Sequence, residues 1–205
     1  MGGATPAGDR APGGRHAGAG APRARRLFAA VWPSPALVGK LRSLERPRPP
    51  GVRWTAEGQW HVTLRFFGNL DAAAEEDVRG RLAEVAHAAR PFDVSAGPRT
   101  RVLGRAVLAL PVAGLDDIAR AVREATAGVG RPPGTRPFAG HLTLARSRHP
   151  RVLAALPPLQ VAAGWSVREL TLVSSDLLSG GASYEVVGSW PLGSVEPPQQ
   201  PEPLR

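Results

Sequence analysis

The sequence HVTL at residues 61–64 recurs as HLTL at residues 141–144, and these two stretches are the most informative part of the chain. An arginine closely follows each copy, Arg65 in the first and Arg146 in the second. Each copy also lies in a short run that alternates between apolar and polar residues, the pattern of a half-buried β-strand. Because the chain has only five histidines, a duplicated four-residue motif is a strong signal.

The spacing within the first motif places its polar residues on one face of a strand. Residues i and i+2 of a strand project to the same side, about 6.6–7 Å apart along the chain. His61, Thr63 and Arg65 are therefore predicted to share a polar face that lines a cleft. The alternate residues, including Phe66, are predicted to form the apolar face behind it.

The second motif repeats this arrangement with His141 and Thr143. Arg146 differs, because its odd spacing from His141 gives it the opposite parity along the strand. It can reach the site only from the end of the strand or through a bend. Opposed across a cleft, the two motifs would place two imidazoles and two hydroxyls around one small anion.

Such a set of side chains is suited to acid–base chemistry on a phosphate. Imidazole titrates near pH ~6.5, so one histidine can act as a base while the other, protonated, acts as an acid. Threonine hydroxyls donate to phosphate oxygens, and a guanidinium stabilises negative charge in the transition state. A zinc site needs three or four ligands, and no further histidine or carboxylate stands at ligand spacing. We therefore expect no metal and no other cofactor.

Strands and helices alternate along the rest of the chain. Residues 61–67 are predicted to be a strand that ends in a turn at residues 68–69. Ala72–Ala89 and Leu115–Val129 carry apolar residues at helical spacing, and Asp71 is a suitable N-cap for the first of them. Short strands without a regular βαβ pattern predict an α+β fold. No dinucleotide-binding or P-loop glycine pattern follows a predicted strand.

Composition predicts one folded domain between two disordered ends. The chain has 205 residues and no cysteine, so a disulfide framework, thiolate metal sites and a cysteine nucleophile are excluded. Residues 1–25 are a basic Gly/Ala/Pro/Arg leader and residues 193–205 a Pro-rich tail, both of low complexity. The domain is predicted over residues 26–192. With no long apolar run and no secretory signal, we expect a cytoplasmic protein.

The formal net charge of +9 is divided between these parts of the chain. Residues 1–26 carry +4 and residues 27–190 carry +6, and all but one of the basic residues are arginine. This excess fits a polyanionic partner, but it equally fits a solvated surface that keeps the protein soluble.

Five stretches of the chain, two of which contain the motifs, carry a resemblance to a known family. They are RLFAA at 26–30, VRW at 52–54, QWHVTLRFFG at 59–68, RPF at 136–138 and HLTLAR at 141–146. Together they resemble the two-histidine phosphoesterases, in particular the bacterial RNA 2′,3′-cyclic phosphodiesterase branch, also called 2′-5′ RNA ligase-like. The resemblance covers about residues 26–190. Trp60 is a small departure, since leucine is commoner at that position.

The resemblance implies a bilobal α+β fold with two antiparallel sheets, helices on their outer faces and a central groove between the motifs. It also implies metal-independent hydrolysis of a 2′,3′-cyclic phosphate, at the end of an RNA or on a nucleotide, to a 2′-phosphomonoester. Reversible 2′-5′ RNA ligation is an associated activity. The expected partners are such cyclic-ended RNAs or nucleotides, with no membrane, and the expected state is a monomer.

The resemblance also implies roles for individual residues. We expect His61 to protonate the departing ribose 3′-oxygen and His141 to activate water. The remaining site residues are Thr63, Thr143 and Arg146 for the phosphate, and Arg65 and Phe66 as candidate groove contacts. Phe66 could instead be a core residue, and Arg65 could line the groove without a catalytic role.

Two alternatives stay open at this point. The first is a non-catalytic RNA- or nucleotide-binding module on the same fold, which would bind cyclic-ended RNA without forming product. The second keeps the enzyme but changes the substrate to another cyclic or 2′-5′-linked nucleotide, which the histidine pair would not reveal.

Overall fold

The computed structural model describes residues 24–178 and 181–193. The predicted leader and tail lie almost wholly outside the described residues, and their disorder stays a prediction. Arg25, which we placed in the leader, is instead the first residue of a strand. At the other end, the backbone N–H of Gly193 donates to the carbonyl of Ala86. Both residues therefore belong to the folded domain.

The described chain forms ten β-strands and four α-helices. The strands are β1 (Arg25–Val31), β2 (Val52–Trp54), β3 (Val62–Leu70), β4 (Phe92–Ala96), β5 (Arg101–Leu103), β6 (Val107–Ala113), β7 (His141–Ser147), β8 (Ala163–Val167), β9 (Glu169–Leu178) and β10 (Gly181–Pro191). The helices are α1 (Pro35–Arg42), α2 (Ala72–Ala88), α3 (Asp116–Ala125) and α4 (Pro150–Ala154).

The strands pair in the order β10-β9-β1-β3-β7-β6-β4-β8, with β2 also paired to β7 and β5 to β6. Every one of these pairs is antiparallel. The predicted α+β class with antiparallel sheets is confirmed.

The sheet has two lobes that meet at a single residue pair. Strands β10, β9, β1 and β3 form one lobe, and the other six strands form the second. Between them, the described part of β3 pairs with β7 only at Val62 and Leu142. The two sheets implied by the resemblance are thus joined edge to edge into one. Because His61 precedes Val62 and His141 precedes Leu142, this junction brings the two histidines together.

The helices pack against the sheet and complete one hydrophobic core. α2 packs on β9, β10 and β3, α3 on β3 and α2, α1 on β8, and α4 on β7. Residues from both lobes share the core, including the fully buried Phe67, Leu82, Leu110, Leu142 and Leu172. Within the described ranges, none of these helices has both the length and the apolar character that crossing a bilayer demands.

Two element boundaries differ from the prediction by more than one residue. β3 continues to Leu70 through the predicted turn, because Gly68 takes a positive φ of 82° within an irregular stretch of the strand. α3 ends at Ala125, four residues before the predicted end at Val129. Val129 is nevertheless buried in the core, so its apolar character was interpreted correctly but its helical state was not.

Asp71 is the N-cap of α2, as predicted, and its substitution is expected to lower stability modestly. Its carboxylate accepts a hydrogen bond from the backbone N–H of Ala74 at 2.9 Å. Asp71→Ala removes this acceptor and should lower the free energy of unfolding by about 1 kcal/mol, measured by urea denaturation. Asp71→Ser keeps an acceptor and should retain most of that stability. Equal stability of the two variants would contradict the capping role.

Candidate active site

A groove of about 580 Å³ lies between the lobes, where β3 and β7 begin. The structure brings six of the seven predicted site residues together on its walls: His61, Thr63, Phe66, His141, Thr143 and Arg146. The two motifs thus face one groove, as their spacing indicated.

A β-bulge in each motif strand determines which side chains reach this groove. In β3, Thr63 pairs with Ala30 and Arg65 pairs with Ala29, so Leu64 between them has no partner. An extra residue of this kind reverses the alternation of side chains beyond it.

The same irregularity occurs in β7. Thr143 pairs with Ala109 and Ala145 pairs with Leu108, which leaves Leu144 without a partner. The reversed alternation carries Arg146 to the groove side. The bend that the sequence required for Arg146 is therefore this bulge.

Phe66 occupies the position in β3 that corresponds to Arg146 in β7, three residues after the threonine. It also lines the groove, where the guanidinium of Arg26 lies 4.7 Å from the centre of its ring. Phe66 thus lies where a groove contact was expected, and its alternative placement on the apolar face behind the motif is wrong, because the bulge reverses the direction of its side chain.

The prediction that Arg65 contacts the groove is also wrong, for the same reason. Arg65 is only 4% exposed and lies on the opposite face of β3. Its guanidinium donates to the hydroxyl of Thr126, to the carbonyl of Val129 at 2.8 Å and to that of Arg131 at 3.3 Å. It also lies 5.0 Å from the ring centre of Phe67, and burial lowers the pKa of this guanidinium. Arg65 thus ties β3 to the segment that follows α3.

Both histidines are anchored in the same way. Nδ1 of His61 lies 2.9 Å from the carbonyl oxygen of Gln59, and Nδ1 of His141 lies 2.7 Å from that of Ala139. A carbonyl oxygen can only accept, so Nδ1 carries the proton in each ring. Nε2 of each ring is therefore the nitrogen available for proton transfer in the groove. The bond of His61 is partly buried, whereas that of His141 is exposed.

Aromatic side chains that the sequence interpretation missed surround His61. The Phe28 ring stacks on its imidazole at 4.7 Å, and the Tyr184 ring meets it edge-on at 4.9 Å. Trp32 lies tilted at 5.8 Å. Phe28 belongs to an apolar run near the start of the domain, and Tyr184 lies over a hundred residues from His61 in the sequence. The pairing of β1 with β3 and β9, together with that of β9 with β10, brings them to the site.

These surroundings hold the pKa of His61 well below its ordinary value of 6.5, at about 4. Burial is the largest cause, and the positive charges of Arg146 and His141 act in the same direction. The hydrogen bond to Gln59 opposes them in part. His61 is therefore neutral in the free protein at neutral pH, a state suited to a base rather than to the acid that we expected.

The groove is positively charged. Arg26, Arg53 and Arg146 line it, and no Asp or Glu is among its described lining residues. The side chain of Gln59 also links two parts of the groove wall: its amide N–H donates to the carbonyl of Ala182 at 2.6 Å. Within the described residues there is no cluster of three His, Cys, Asp or Glu side chains arranged to hold a metal ion.

Comparison with known proteins gives one family match and several similar proteins. The family model for the 2′-5′ RNA ligase superfamily matches residues 30–177. The chain is similar to the RNA 2′,3′-cyclic phosphodiesterase of Geobacillus stearothermophilus, with 29% identity over 157 residues, or 70% of this chain and 48% of that protein. The chain thus spans about half the length of that relative.

A second relative is the RNA 2′,3′-cyclic phosphodiesterase of Escherichia coli K12, which is 29% identical over 147 residues, or 70% of this chain and 82% of that protein. Among solved structures, the protein TT0787 of Thermus thermophilus superposes with a TM-score of 0.72 at 26% identity, covering 83% of this chain and all of that one.

The opposite placement of Arg65 and Arg146 predicts different effects on stability. Arg65→Ala leaves several buried acceptors unpaired and should lower the free energy of unfolding by about 3 kcal/mol. Arg146→Ala changes an exposed side chain and should change the free energy of unfolding by less than about 0.5 kcal/mol. Urea denaturation of both variants measures this, and similar values would contradict the bulge at Leu64.

The environment of His61 predicts an unusual titration. An NMR titration of histidine-labelled protein should give His61 a midpoint near pH 4. Since the unfolded chain binds this proton at about 6.5, the free energy of unfolding should fall as the pH falls from about 6.5 towards 4. Arg146→Ala should raise the midpoint only in part, because burial is the larger cause. A wild-type midpoint near 6.5 would refute this assignment.

Proposed function

Because the chain belongs to the 2′-5′ RNA ligase superfamily, we propose that it is an RNA 2′,3′-cyclic phosphodiesterase. In this reaction water attacks the phosphorus of a 2′,3′-cyclic phosphate. The bond from phosphorus to the ribose 3′-oxygen breaks, and a 2′-phosphomonoester and a free 3′-hydroxyl remain. The names of the Geobacillus and E. coli relatives support this choice of substrate.

One observation carries the proposal: two histidines with identical backbone anchors work from opposite walls of one groove. Cyclic phosphate hydrolysis needs one proton removed from water and one delivered to the leaving oxygen. Groups on opposite sides of the phosphorus allow the water to enter in line with the bond that breaks. Two histidines, one from each motif, can supply both proton transfers without further residues.

We assign the base to His61 and the acid to His141, the reverse of the expectation from the resemblance. His61 is neutral in the free protein because its pKa lies at about 4, so its Nε2 can accept a proton from water. His141, with its more exposed anchor, supplies the proton to the ribose 3′-oxygen.

The phosphate is proposed to be held by Thr63, Thr143 and Arg146. The hydroxyls approach from opposite walls of the groove, one from each motif, and can each donate to a non-bridging oxygen. Arg146 adds a fixed positive charge that stabilises the extra negative charge of the transition state. We propose that Phe66, with Arg26 beside its ring, contacts the nucleoside attached to the cyclic phosphate.

Residues of a single chain form the groove, which supports a monomer as the active unit. We keep the monomer and the cytoplasmic location as proposals. In 2′-5′ ligation of RNA ends, the 5′-hydroxyl of a second RNA takes the place of water: it attacks the cyclic phosphate, the bond to the 3′-oxygen breaks, and a 2′-5′ phosphodiester and a free 3′-hydroxyl remain. The same base and acid serve this step, and attack by the 3′-hydroxyl reverses it. The superfamily's name supports this ligation.

Each histidine should be indispensable for turnover. His61→Ala and His141→Ala are each expected to lower kcat/KM on a 2′,3′-cyclic-phosphate oligoribonucleotide by roughly 10²–10⁴-fold, since each removes one proton transfer. The assay contains EDTA, and the wild type should keep its activity there and release only the 2′-phosphate. His149→Ala, an exposed histidine outside the groove, is the matched control.

Retained turnover in either groove variant would refute the two-histidine mechanism. A wild type that binds the oligoribonucleotide tightly but forms no product would support the non-catalytic binding module instead.

The two roles can be separated with a nucleoside p-nitrophenyl phosphodiester, whose leaving group departs without a proton. His141→Ala should lose much less activity on this ester than on the cyclic phosphate, because it lacks only the acid. His61→Ala should lose activity on both. The opposite pattern would return the acid role to His61.

A further inference from the structure

A second arginine stands directly beside Arg146 in the groove. Arg53 of β2 is the pairing partner of Arg146 of β7, and both side chains are exposed and line the groove. Neighbouring strands are about 4.7–4.9 Å apart, and like charges directly opposite each other on such strands repel. An anion in the groove can contact both guanidinium groups, so the pair is suited to binding one.

The strand that carries Arg53 is held firmly against the second motif. The backbone N–H of Thr55 donates to the carbonyl of Leu144 at 2.9 Å, and its hydroxyl donates to the carbonyl of Thr143 at 2.8 Å. β2 is therefore fixed to the bulged part of β7. This fixes the backbone at Arg53 relative to Thr143, and binding costs less entropy when the supporting backbone is preorganised.

The two arginines come from different strands that both reach the groove. The charge of Arg146 acts on His61, and the cyclic phosphate is assigned to Arg146 above. Arg53 lies on the short segment β2, which pairs with the edge of β7 that β3 also joins. A guanidinium there can form paired hydrogen bonds to a phosphate in a way that a lysine cannot.

We propose that Arg53 binds a second phosphate of the substrate, the one on the 5′-oxygen of the ribose that carries the cyclic phosphate. This inference rests on the proposed function and deepens it. The groove then selects the end of an RNA chain, where that 5′-phosphate is always present, over a cyclic mononucleotide, which lacks it. Arg53 is a specificity-determining residue rather than a catalytic one.

The test compares two product-like ligands, adenosine 2′-monophosphate and adenosine 2′,5′-bisphosphate, by isothermal titration calorimetry. Wild-type protein should bind the bisphosphate roughly 10- to 100-fold more tightly, the effect of one charge-assisted contact. In Arg53→Ala this ratio should fall to about 3 or less, and Arg53→Lys should restore part of it. Arg101→Ala, an exposed arginine on β5 outside the groove, is the matched control and should keep the wild-type ratio.

Two results would overturn the proposal: no preference for the bisphosphate in the wild type, or an equal loss of affinity for both ligands in Arg53→Ala. The experiment needs no turnover, so it is independent of hydrolysis, which is assayed separately with the 2′,3′-cyclic-phosphate oligoribonucleotide. A bisphosphate preference that depends on Arg53 without any hydrolysis would refute the proposed function and leave the second phosphate site in place.

Discussion

The pairing of Val62 with Leu142 is the contact on which the site depends. Backbone pairing joins the lobes within the described residues of β3 and β7 only there, and the histidines precede these two residues directly. On one side of this junction the strands diverge and leave room for the groove, and on the other the shared core holds the lobes together. A longer ladder between the two strands would close the space that a phosphate needs, and no ladder would leave the imidazoles without a fixed separation.

The two motif strands, β3 and β7, are approximately equivalent, but a matching bulge in each of them produces an asymmetric site. Each bulge follows a threonine and directs the residue three positions later into the groove. That residue is Phe66 in one strand and Arg146 in the other, so one wall offers a ring and the other a charge. The same asymmetry extends outward, because aromatic rings enclose His61 and Arg53 stands beside Arg146. Identical motifs therefore supply different chemistry.

The sequence predicted the motifs, their strands, the α+β class and the N-cap of α2, because each depends on local spacing or composition. The faces of residues after the bulges could not be predicted, since Leu64 and Leu144 look like ordinary members of an alternating strand. Arg65 and Phe66 were therefore placed on each other's faces. Tyr184 and Phe28 reach His61 through strand pairing between distant segments, which leaves no local pattern. β2 is too short, at three residues, to produce one.

The backbone anchors of the histidines have a further consequence for the catalytic cycle. The proposed hydrolysis leaves the base protonated and the acid neutral, so both rings must return to their starting states before the next substrate reacts. Since Nδ1 of each ring donates to a carbonyl, of Gln59 or of Ala139, this proton exchange runs through Nε2 and the solvent of the groove. A bound product keeps that solvent out, so its departure must precede the next round.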